Sequence, residues 1–286
     1  MALASLFLIG YGSSSAQTRR VRPAAKTHRT PQAPVTIVGT ATHWSLVFNA
    51  EFDGTGLNTR IWTPGWFGTG VTGPINPHEL ACYSSAQVAA SPDAGPLNLS
   101  VTHAPSTCDG VERPYTGALV STNPYDGRKV GGFQYRYGLL QARIYVPAYQ
   151  GKLVANWPAV MTLGQAWPQD GEDDILEGLG GTVCFHFHNP ENVYTGFGGC
   201  DRALTPGWHT VAAYWQPGSV TWYYDGVEVG QATEDVTSDP MYIVLADTVN
   251  EKSAGVAKPA TMKVSWVRVW QPAGAHAARA GYMYSY

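Results

Sequence analysis

Short runs of β-branched and aromatic residues, separated by turn residues, fill the chain from residue 37 to residue 271. Such runs lie at 211–215, 220–224, 242–245 and 264–270. Asp225-Gly226, directly after one of them, is a strong signal for a hairpin. The chain shows no long helical period and no internal repeat, so any helix should be short. Many short strands with frequent turns predict an all-β fold, an antiparallel β-sandwich of two sheets.

Composition agrees with this prediction and narrows the functional classes. A chain of 286 residues can bury a large core in one sandwich domain, and its 32 glycines and 20 prolines indicate many turns. A formal net charge of −3 provides no general attraction for nucleic acid or an anionic membrane. The 10 tryptophans and 16 tyrosines suit stacking against sugar rings, although core packing also uses such residues.

The two ends of the chain differ in composition from the middle. Residues 1–16 have the pattern of a signal peptide, with an apolar run too short to span a bilayer. The basic residues that usually precede such a run are absent, which suggests a truncated start. Residues 17–36 form a basic, proline-containing linker, and residues 272–286 form an alanine-rich tail for which no function is predicted. We therefore expect a secreted protein whose catalytic domain covers residues 37–271.

Four cysteines fit two disulfides in an oxidising compartment. Sequence order favours Cys82–Cys108 and Cys184–Cys200, although three pairings exist. A zinc site is disfavoured because the cysteines are scattered and no C-x-x-C pair is present.

Residues 172–177 place four carboxylates within six positions of a chain with 14% charged residues. In a regular strand, Glu172 and Asp174 share a face and Glu177 points to the opposite one. One β-bulge would re-aim the last side chain, so that all three acids line one face, as catalysis at a glycosidic bond requires. An acidic loop or a cation site is the alternative, but Ile175 and Leu176 interrupt the acids in the manner of a strand.

The motif Glu172-x-Asp174-x-x-Glu177 resembles the active-site signature of glycoside hydrolase family 16, most closely its laminarinase-like (endo-β-1,3-glucanase) members. Other pieces follow in the family's order over residues 45–271: 49–54, 76–80, 115–117, 137–144, 157–159, 208–210, 222–226 and 267–270. Single pieces are weak, whereas the ordered set is specific.

This resemblance implies a curved, concanavalin-like jelly roll with a concave substrate cleft and a reaction that retains anomeric configuration. It implies Glu172 as nucleophile and Glu177 as general acid/base, with Asp174 between them and no required cofactor. Retention requires the two glutamate carboxyl groups to lie roughly 5–5.5 Å apart. Acids sharing one site cannot all ionise easily, so at least one pKa should rise.

Other candidate site residues surround the motif in sequence. Trp157 and Trp167 are candidate sugar platforms, with core packing as the alternative. Asn76 and Glu79 are weaker substrate-binding candidates, and for Glu79 the alternative is a structural acid that accepts from backbone amides. His186 is a candidate partner of the acid/base or of a sugar hydroxyl, with a structural histidine in a polar cleft as the alternative. It shares a strand face with His188, and two such histidines can chelate zinc; no acidic third ligand is evident, so no metal is predicted.

Several positions depart from the family pattern. Asp173 stands where an apolar, core-facing residue is usual, and a buried carboxylate there needs a partner. Met161 replaces a second tryptophan of the cleft, and residues 246–248 depart from the usual loop around it. Ser265 replaces an aspartate that in the family helps to bind calcium, whereas Glu51 is retained, so a structural calcium ion stays an open alternative.

Together these observations predict a secreted, monomeric endo-acting hydrolase of β-1,3 or mixed β-1,3/1,4 glucan. Its expected partner is the polysaccharide substrate, with no nucleic acid and no membrane span. A family member acting on another polysaccharide, such as a galactan or an envelope glycan, is the first alternative, and a transglycosylase is the second. A glucan-binding module without catalysis is the rival class, but such modules typically lose one or both glutamates.

Overall fold

The computed structural model describes residues 43–54, 56–67, 70–91, 95–126, 131–256 and 260–273. Over these residues the chain forms 22 strands and one turn of 3-10 helix, Ser85–Gln87, which confirms the all-β prediction. Within this part of the chain no helix is long and apolar enough to cross a membrane. The expected signal peptide, residues 17–36 of the linker and the tail beyond residue 273 lie outside the described residues.

The strands are numbered in chain order. They are β1 (Trp44–Ala50), β2 (Thr63–Pro64), β3 (Val71–Thr72), β4 (Ala81–Ser84), β5 (Val88–Ser91), β6 (Gly95–Val101), β7 (Ser106–Cys108), β8 (Val111–Arg113), β9 (Tyr115–Ser121), β10 (Gln134–Tyr135), β11 (Gly138–Val146), β12 (Ala148–Tyr149), β13 (Leu153–Val154), β14 (Trp157–Leu163), β15 (Glu172–Leu179), β16 (Thr182–His188), β17 (Phe197–Asp201), β18 (Gly207–Gln216), β19 (Ser219–Tyr224), β20 (Val227–Ala232), β21 (Met241–Thr248) and β22 (Ala260–Pro272).

Two large sheets hold most of these strands. One has eight strands in the order β20-β19-β18-β11-β22-β6-β5, with β1 also paired to β22. The other has ten strands in the order β17-β16-β15-β14-β21-β9-β4-β3, with β10 paired to β21 and β2 to β9. The hairpin predicted at Asp225-Gly226 joins β19 and β20, and Asp225 takes a positive φ of 49° in that turn.

The principal core lies between the two sheets. Alternate residues of each strand enter it, such as Ile144 and Val146 from the eight-stranded sheet and Ile175 and Phe187 from the ten-stranded sheet. A separate apolar cluster, which includes Leu163 and Val244, lies on the other face of the ten-stranded sheet. One face of that sheet is therefore committed to the core, while the other is available for a site.

Both predicted disulfides are confirmed. Cys82 bonds to Cys108, and Cys184 bonds to Cys200 across the β16–β17 pair. The second bridge ties the edge strand β17 to β16, the strand that lies next to the acidic strand β15.

Candidate active site

The bulge predicted from the acidic motif is present in β15. Asp174 pairs with His186 of β16, whereas Glu177 pairs with Cys184, so three steps along β15 match two steps along β16. The same irregularity is seen against β14, where Val160 pairs with Leu176 and Met161 pairs with Asp174. The inserted residue returns Glu177 to the face of Glu172 and Asp174.

The face that carries the acids is the one opposite the main core. Residues directly opposite each other on paired strands share a face, and Glu172, Asp174 and Glu177 pair with Leu163, Met161 and Ala159 of β14. These apolar residues pack in or against the second cluster, with Tyr242, Val244 and Ala246 of β21 beyond them. The acids thus lie at one side of a smooth apolar floor.

Glu172 is held by Trp167. The indole Nε1–H of Trp167 donates to Glu172 Oε2 at 2.7 Å. The Trp167 side chain is 45% exposed, which leaves ring surface open to a ligand. A candidate sugar platform and a candidate nucleophile are therefore joined by one hydrogen bond.

Glu177 is held by two side chains. Trp157 Nε1–H donates to Glu177 Oε1 at 3.0 Å, and His186 Nδ1 lies 3.1 Å from Glu177 Oε2. An indole is only a donor, whereas an imidazole nitrogen is a donor or an acceptor according to its tautomer. The Trp157 donor therefore occupies Oε1, while Oε2 faces the His186 ring.

Asp174 is paired with His188, a residue that sequence reasoning did not select for the site. His188 Nε2 lies 3.0 Å from Asp174 Oδ2, and its Nδ1 faces the backbone carbonyl of Val193 at 3.0 Å. That carbonyl accepts the Nδ1 proton and fixes the ring with Nε2 toward the acid. The alternation that places His186 and His188 on one face was the available signal for this contact.

The acids and His188 form one electrostatic group. Burial raises the pKa of Asp174 well above its ordinary value, and the charges of Glu177 and Glu172 raise it further. Burial also raises the pKa of Glu172, assisted by the charge of Glu177 and opposed by that of His188 and by the Trp167 hydrogen bond. Such neighbouring carboxyl groups share protons and titrate together.

His188 is the cation of this group. Burial by itself would lower its pKa, but the hydrogen bond and charge of Asp174, followed by the charges of Glu172 and Glu177, raise it to about 9. The imidazolium therefore offsets part of the negative charge at neutral pH.

Asp174, His186 and His188 each present a possible metal-ligand atom, and these atoms lie within 4.8 Å of one another. The sequence-based statement that the two histidines have no acidic third partner was wrong, because the register places Asp174 directly opposite His186. His186 already contacts Glu177, and His188 already contacts Asp174. The expectation that no metal is needed stays a prediction.

Asp173 points away from the site, into the core. Its Oδ1 accepts a hydrogen bond of 2.7 Å from Trp222 Nε1 of β19, in the opposite sheet, and its side chain is buried. This is the partner that a carboxylate at a core-facing position requires. Burial raises the pKa of Asp173 to about 7; the Trp222 hydrogen bond opposes the shift and the charge of Glu172 adds to it.

Asn76 and Glu79 are not brought into contact with the acids. Asn76 is exposed, and its Oδ1 accepts from the backbone N–H of His78 in a turn. Glu79 is buried, accepts hydrogen bonds from Tyr83 and Thr248, and has its pKa raised to about 7 by burial. Their assignment to substrate binding stays a prediction, and the contacts of Glu79 are those of a structural acid.

Residues 246–248, which depart from the family's loop around the cleft, belong to a strand in the structure. Asp247 lies within β21 and not in a loop around the cleft; it is buried and accepts from Asn156 Nδ2 at 3.1 Å and from the backbone N–H of Met262 at 3.0 Å.

Glu51 Oε1 contacts Arg268 Nη2 at 2.8 Å. Because the guanidinium already brings positive charge to Glu51, these residues fit an ion pair better than a calcium site, and a structural calcium ion stays an untested alternative.

Comparison of sequences identifies a relative of known type. A β-glucanase of Rhodothermus marinus is 32% identical over 199 residues, which cover 65% of this chain and 64% of that protein. The match thus spans slightly less than two thirds of the relative's length. No protein-family model matches the chain.

Solved structures share the fold. The endo-β-1,3-glucanase of Pyrococcus furiosus superposes with a TM-score of 0.66 at 24% identity and covers 83% of this chain and 97% of that one. A structure described with endo-acting O-glycanases, which members of the human gut microbiota express to initiate mucin breakdown, superposes with a TM-score of 0.64 at 22% identity and covers 84% and 94%. These likenesses confirm the laminarinase-like fold that the resemblance to glycoside hydrolase family 16 implies.

Proposed function

We propose that this protein is a retaining, endo-acting hydrolase of β-1,3 or mixed β-1,3/1,4 glucan. The observation that carries the proposal is the bulge in β15, which turns Glu172 and Glu177 to one face with Asp174 between them. The β-glucanase relative and the endo-β-1,3-glucanase with the same fold support the substrate class.

Glu172 acts as the nucleophile in the first step. Its carboxylate attacks the anomeric carbon while the bond from that carbon to the leaving oxygen breaks, and Glu177 gives its proton to that oxygen. Trp167 holds Glu172 Oε2, which fixes the direction of the carboxylate before substrate arrives. The product of this step is a glycosyl ester of Glu172.

Glu177 then acts as the base of the second step. Esterification removes the charge of Glu172, and Glu177, which has given up its proton, is the catalytic carboxylate that remains to accept one. Glu177 takes a proton from water, the water oxygen attacks the anomeric carbon, and the ester bond breaks. His186 Nδ1, 3.1 Å from Glu177 Oε2, holds the carboxyl group in position in both steps.

Asp174 and His188 set the charge between the two glutamates. Asp174 is buried between them and does not need to touch the anomeric carbon. A proton is shared between Asp174 and His188, and its position changes the electrostatic potential at Glu172 and Glu177 as charge moves from one glutamate to the other.

Matched Glu→Gln variants test this assignment. We expect Glu172→Gln and Glu177→Gln each to lower hydrolysis of laminarin by at least about 10³-fold while binding persists, because a nucleophile or a proton donor is removed without loss of shape. Glu112→Gln, at an exposed glutamate of β8, is the control and should keep full activity. Undiminished turnover by the Glu172 variant would remove that residue from the mechanism.

A different polysaccharide is the second candidate, and it is favoured by the O-glycanase structure, whose TM-score of 0.64 is close to that of the glucanase. Met161, opposite Asp174, leaves less aromatic surface on the floor than a tryptophan there would provide. Incubation with laminarin, lichenan, agarose, carrageenan, xyloglucan and mucin glycans, with product lengths resolved, separates these substrates. Sugar-extended products in the same assay would identify a transglycosylase.

Export and a monomeric state complete the proposal. Both disulfides are formed, which supports an oxidising compartment outside the cytosol. Mass spectrometry of protein recovered from the medium, together with light scattering, tests both points; a thiol-containing protein retained in the cell would contradict export.

A further inference from the structure

A row of paired residues crosses four strands of the eight-stranded sheet. Trp208 of β18 pairs with Tyr145 of β11, Tyr145 pairs with Lys263 of β22, and Lys263 pairs with Asn98 of β6. Directly paired residues share a face, so the four side chains form one line, about 14 Å long at the usual spacing between strands.

This row faces away from the core and belongs to the opposite sheet from the acids. The residues that flank Tyr145 in β11, Ile144 and Val146, are fully buried between the sheets, so Tyr145 points outward. Trp208 is 39% exposed, which is large for an indole in a strand. A ligand held here would not compete with one in the cleft.

The row borders a depression of about 460 Å³, within the range of small-molecule sites. Its lining includes Asn98, Ser100, Tyr145, Pro147, Thr261 and Lys263. The hydroxyls of Ser100 and Thr261 lie 3.1 Å apart, beside the amide of Asn98, and no carboxylate is among the described residues that line the depression. Hydroxyl, amide and ammonium groups around an aromatic ring match the hydroxyl groups and the apolar ring face of a sugar.

The aromatic side chains are held in fixed orientations. Tyr145 and Trp208 pack edge to face with their centroids 5.8 Å apart, and Lys263 Nζ lies 5.7 Å from the Tyr145 centroid. Arg143 lies beside Trp208, and its charge is offset by Asp225 at 3.8 Å. The surface is therefore pre-organised, and the Lys263 ammonium adds one donor for sugar hydroxyl groups.

The geometry points to a second carbohydrate-binding site, which holds a neutral β-glucan chain along the Trp208–Tyr145–Lys263–Asn98 row. This inference rests on the proposed function, because the occupant is another stretch of the same polymer. Two sites on opposite sheets give the protein a second hold on a large or insoluble glucan, and linked sites raise apparent affinity without new contacts in the cleft.

Retention on insoluble β-1,3-glucan, measured in a Glu172→Gln background to prevent cleavage, tests the site. We expect Trp208→Ala combined with Tyr145→Ala to weaken retention about tenfold. This factor is smaller than the increase in apparent affinity that a second linked binding site can supply. Trp208→Ala alone should weaken it by a smaller factor, and its exposed position guards against a folding defect. Tyr214→Ala is the matched control, on the same strand and face but roughly 20 Å away, and should bind as the parent does.

With Glu172 intact, the double variant should hydrolyse a short soluble β-1,3-oligosaccharide at an unchanged kcat/KM, because such a substrate occupies only the cleft. Equal retention of the double variant and its parent, in a protein that cleaves the oligosaccharide, would overturn the second site alone. A wild-type protein that neither cleaves nor retains β-glucan would overturn the proposed function together with this inference.

Discussion

Asp173→Asn should change how the stability of the protein depends on pH. The side chain is buried between the sheets, and its pKa is raised from 3.8 to about 7. Asparagine has the same shape, keeps an oxygen to accept from Trp222 Nε1, and carries no charge at any pH. The substitution therefore isolates the ionisation of Asp173 from its packing.

The sign and the magnitude follow from the two pKa values. Below about pH 4 Asp173 is protonated in both the folded and the unfolded state, so its burial costs no ionisation energy and wild-type stability is at its full value. Between pH 4 and about 7 only the unfolded state loses the proton, and stability falls as the pH rises. The interval from 3.8 to about 7, at 1.36 kcal/mol for each pKa unit, corresponds to about 4 kcal/mol.

Urea unfolding at pH 4, 5, 6, 7 and 8 gives the measurement. Relative to wild type, we expect the Asp173→Asn variant to gain about 4 kcal/mol of unfolding free energy between pH 4 and pH 7, and nothing further above that pH. Asp239→Asn, at an exposed aspartate, is the control for loss of a surface charge. Parallel stability curves for the Asp173 variant and wild type would show that Asp173 ionises normally and would refute the reasoning.

Three further substitutions test individual contacts. Trp167→Phe keeps an aromatic ring but removes the donor to Glu172, so kcat should fall about 10- to 100-fold with little change in KM, as expected for loss of a hydrogen bond to a charged group; a change confined to KM would contradict this. Protonated His188 stabilises wild type by about 3 kcal/mol below pH 6.5, and this contribution is lost as the pH rises through about 9. His188→Gln should remove this contribution, and thermal unfolding of the variant and wild type across that pH range measures it. The double variant Cys184→Ser, Cys200→Ser removes a disulfide between residues 16 apart and should lower the unfolding free energy by about 3 kcal/mol. An unchanged urea transition would show that the disulfide does not stabilise the fold.

The face of the acidic strand was predictable from the sequence because strand periodicity is a local property. Glu172, Asp174 and Glu177 can share one catalytic face only if one residue is inserted between the second and the third, and the pairing of β15 with β14 and β16 shows that insertion. The disulfide pairing was also favoured by sequence order, since each bridge joins neighbours among the four cysteines.

Contacts between distant strands were not predictable in the same way. Trp222, the partner of Asp173, is 49 residues away in the other sheet, and no local pattern connects them. The pairing of His188 with Asp174 depends on the register between β15 and β16, which the bulge itself shifts. The position of Asp247 inside β21, a strand buried along its length, was likewise not predicted, because its partner Asn156 is 91 residues away in the sequence.

Proton NMR of the first product released from laminarin tests the double-displacement geometry most directly. If Glu172 attacks the anomeric carbon and Glu177 then activates water on the side from which the leaving group departed, each cleavage inverts the anomeric centre twice. The new reducing end then appears first as the β anomer, before mutarotation. First appearance of the α anomer would require a single displacement by water and would contradict the roles given to the two glutamates.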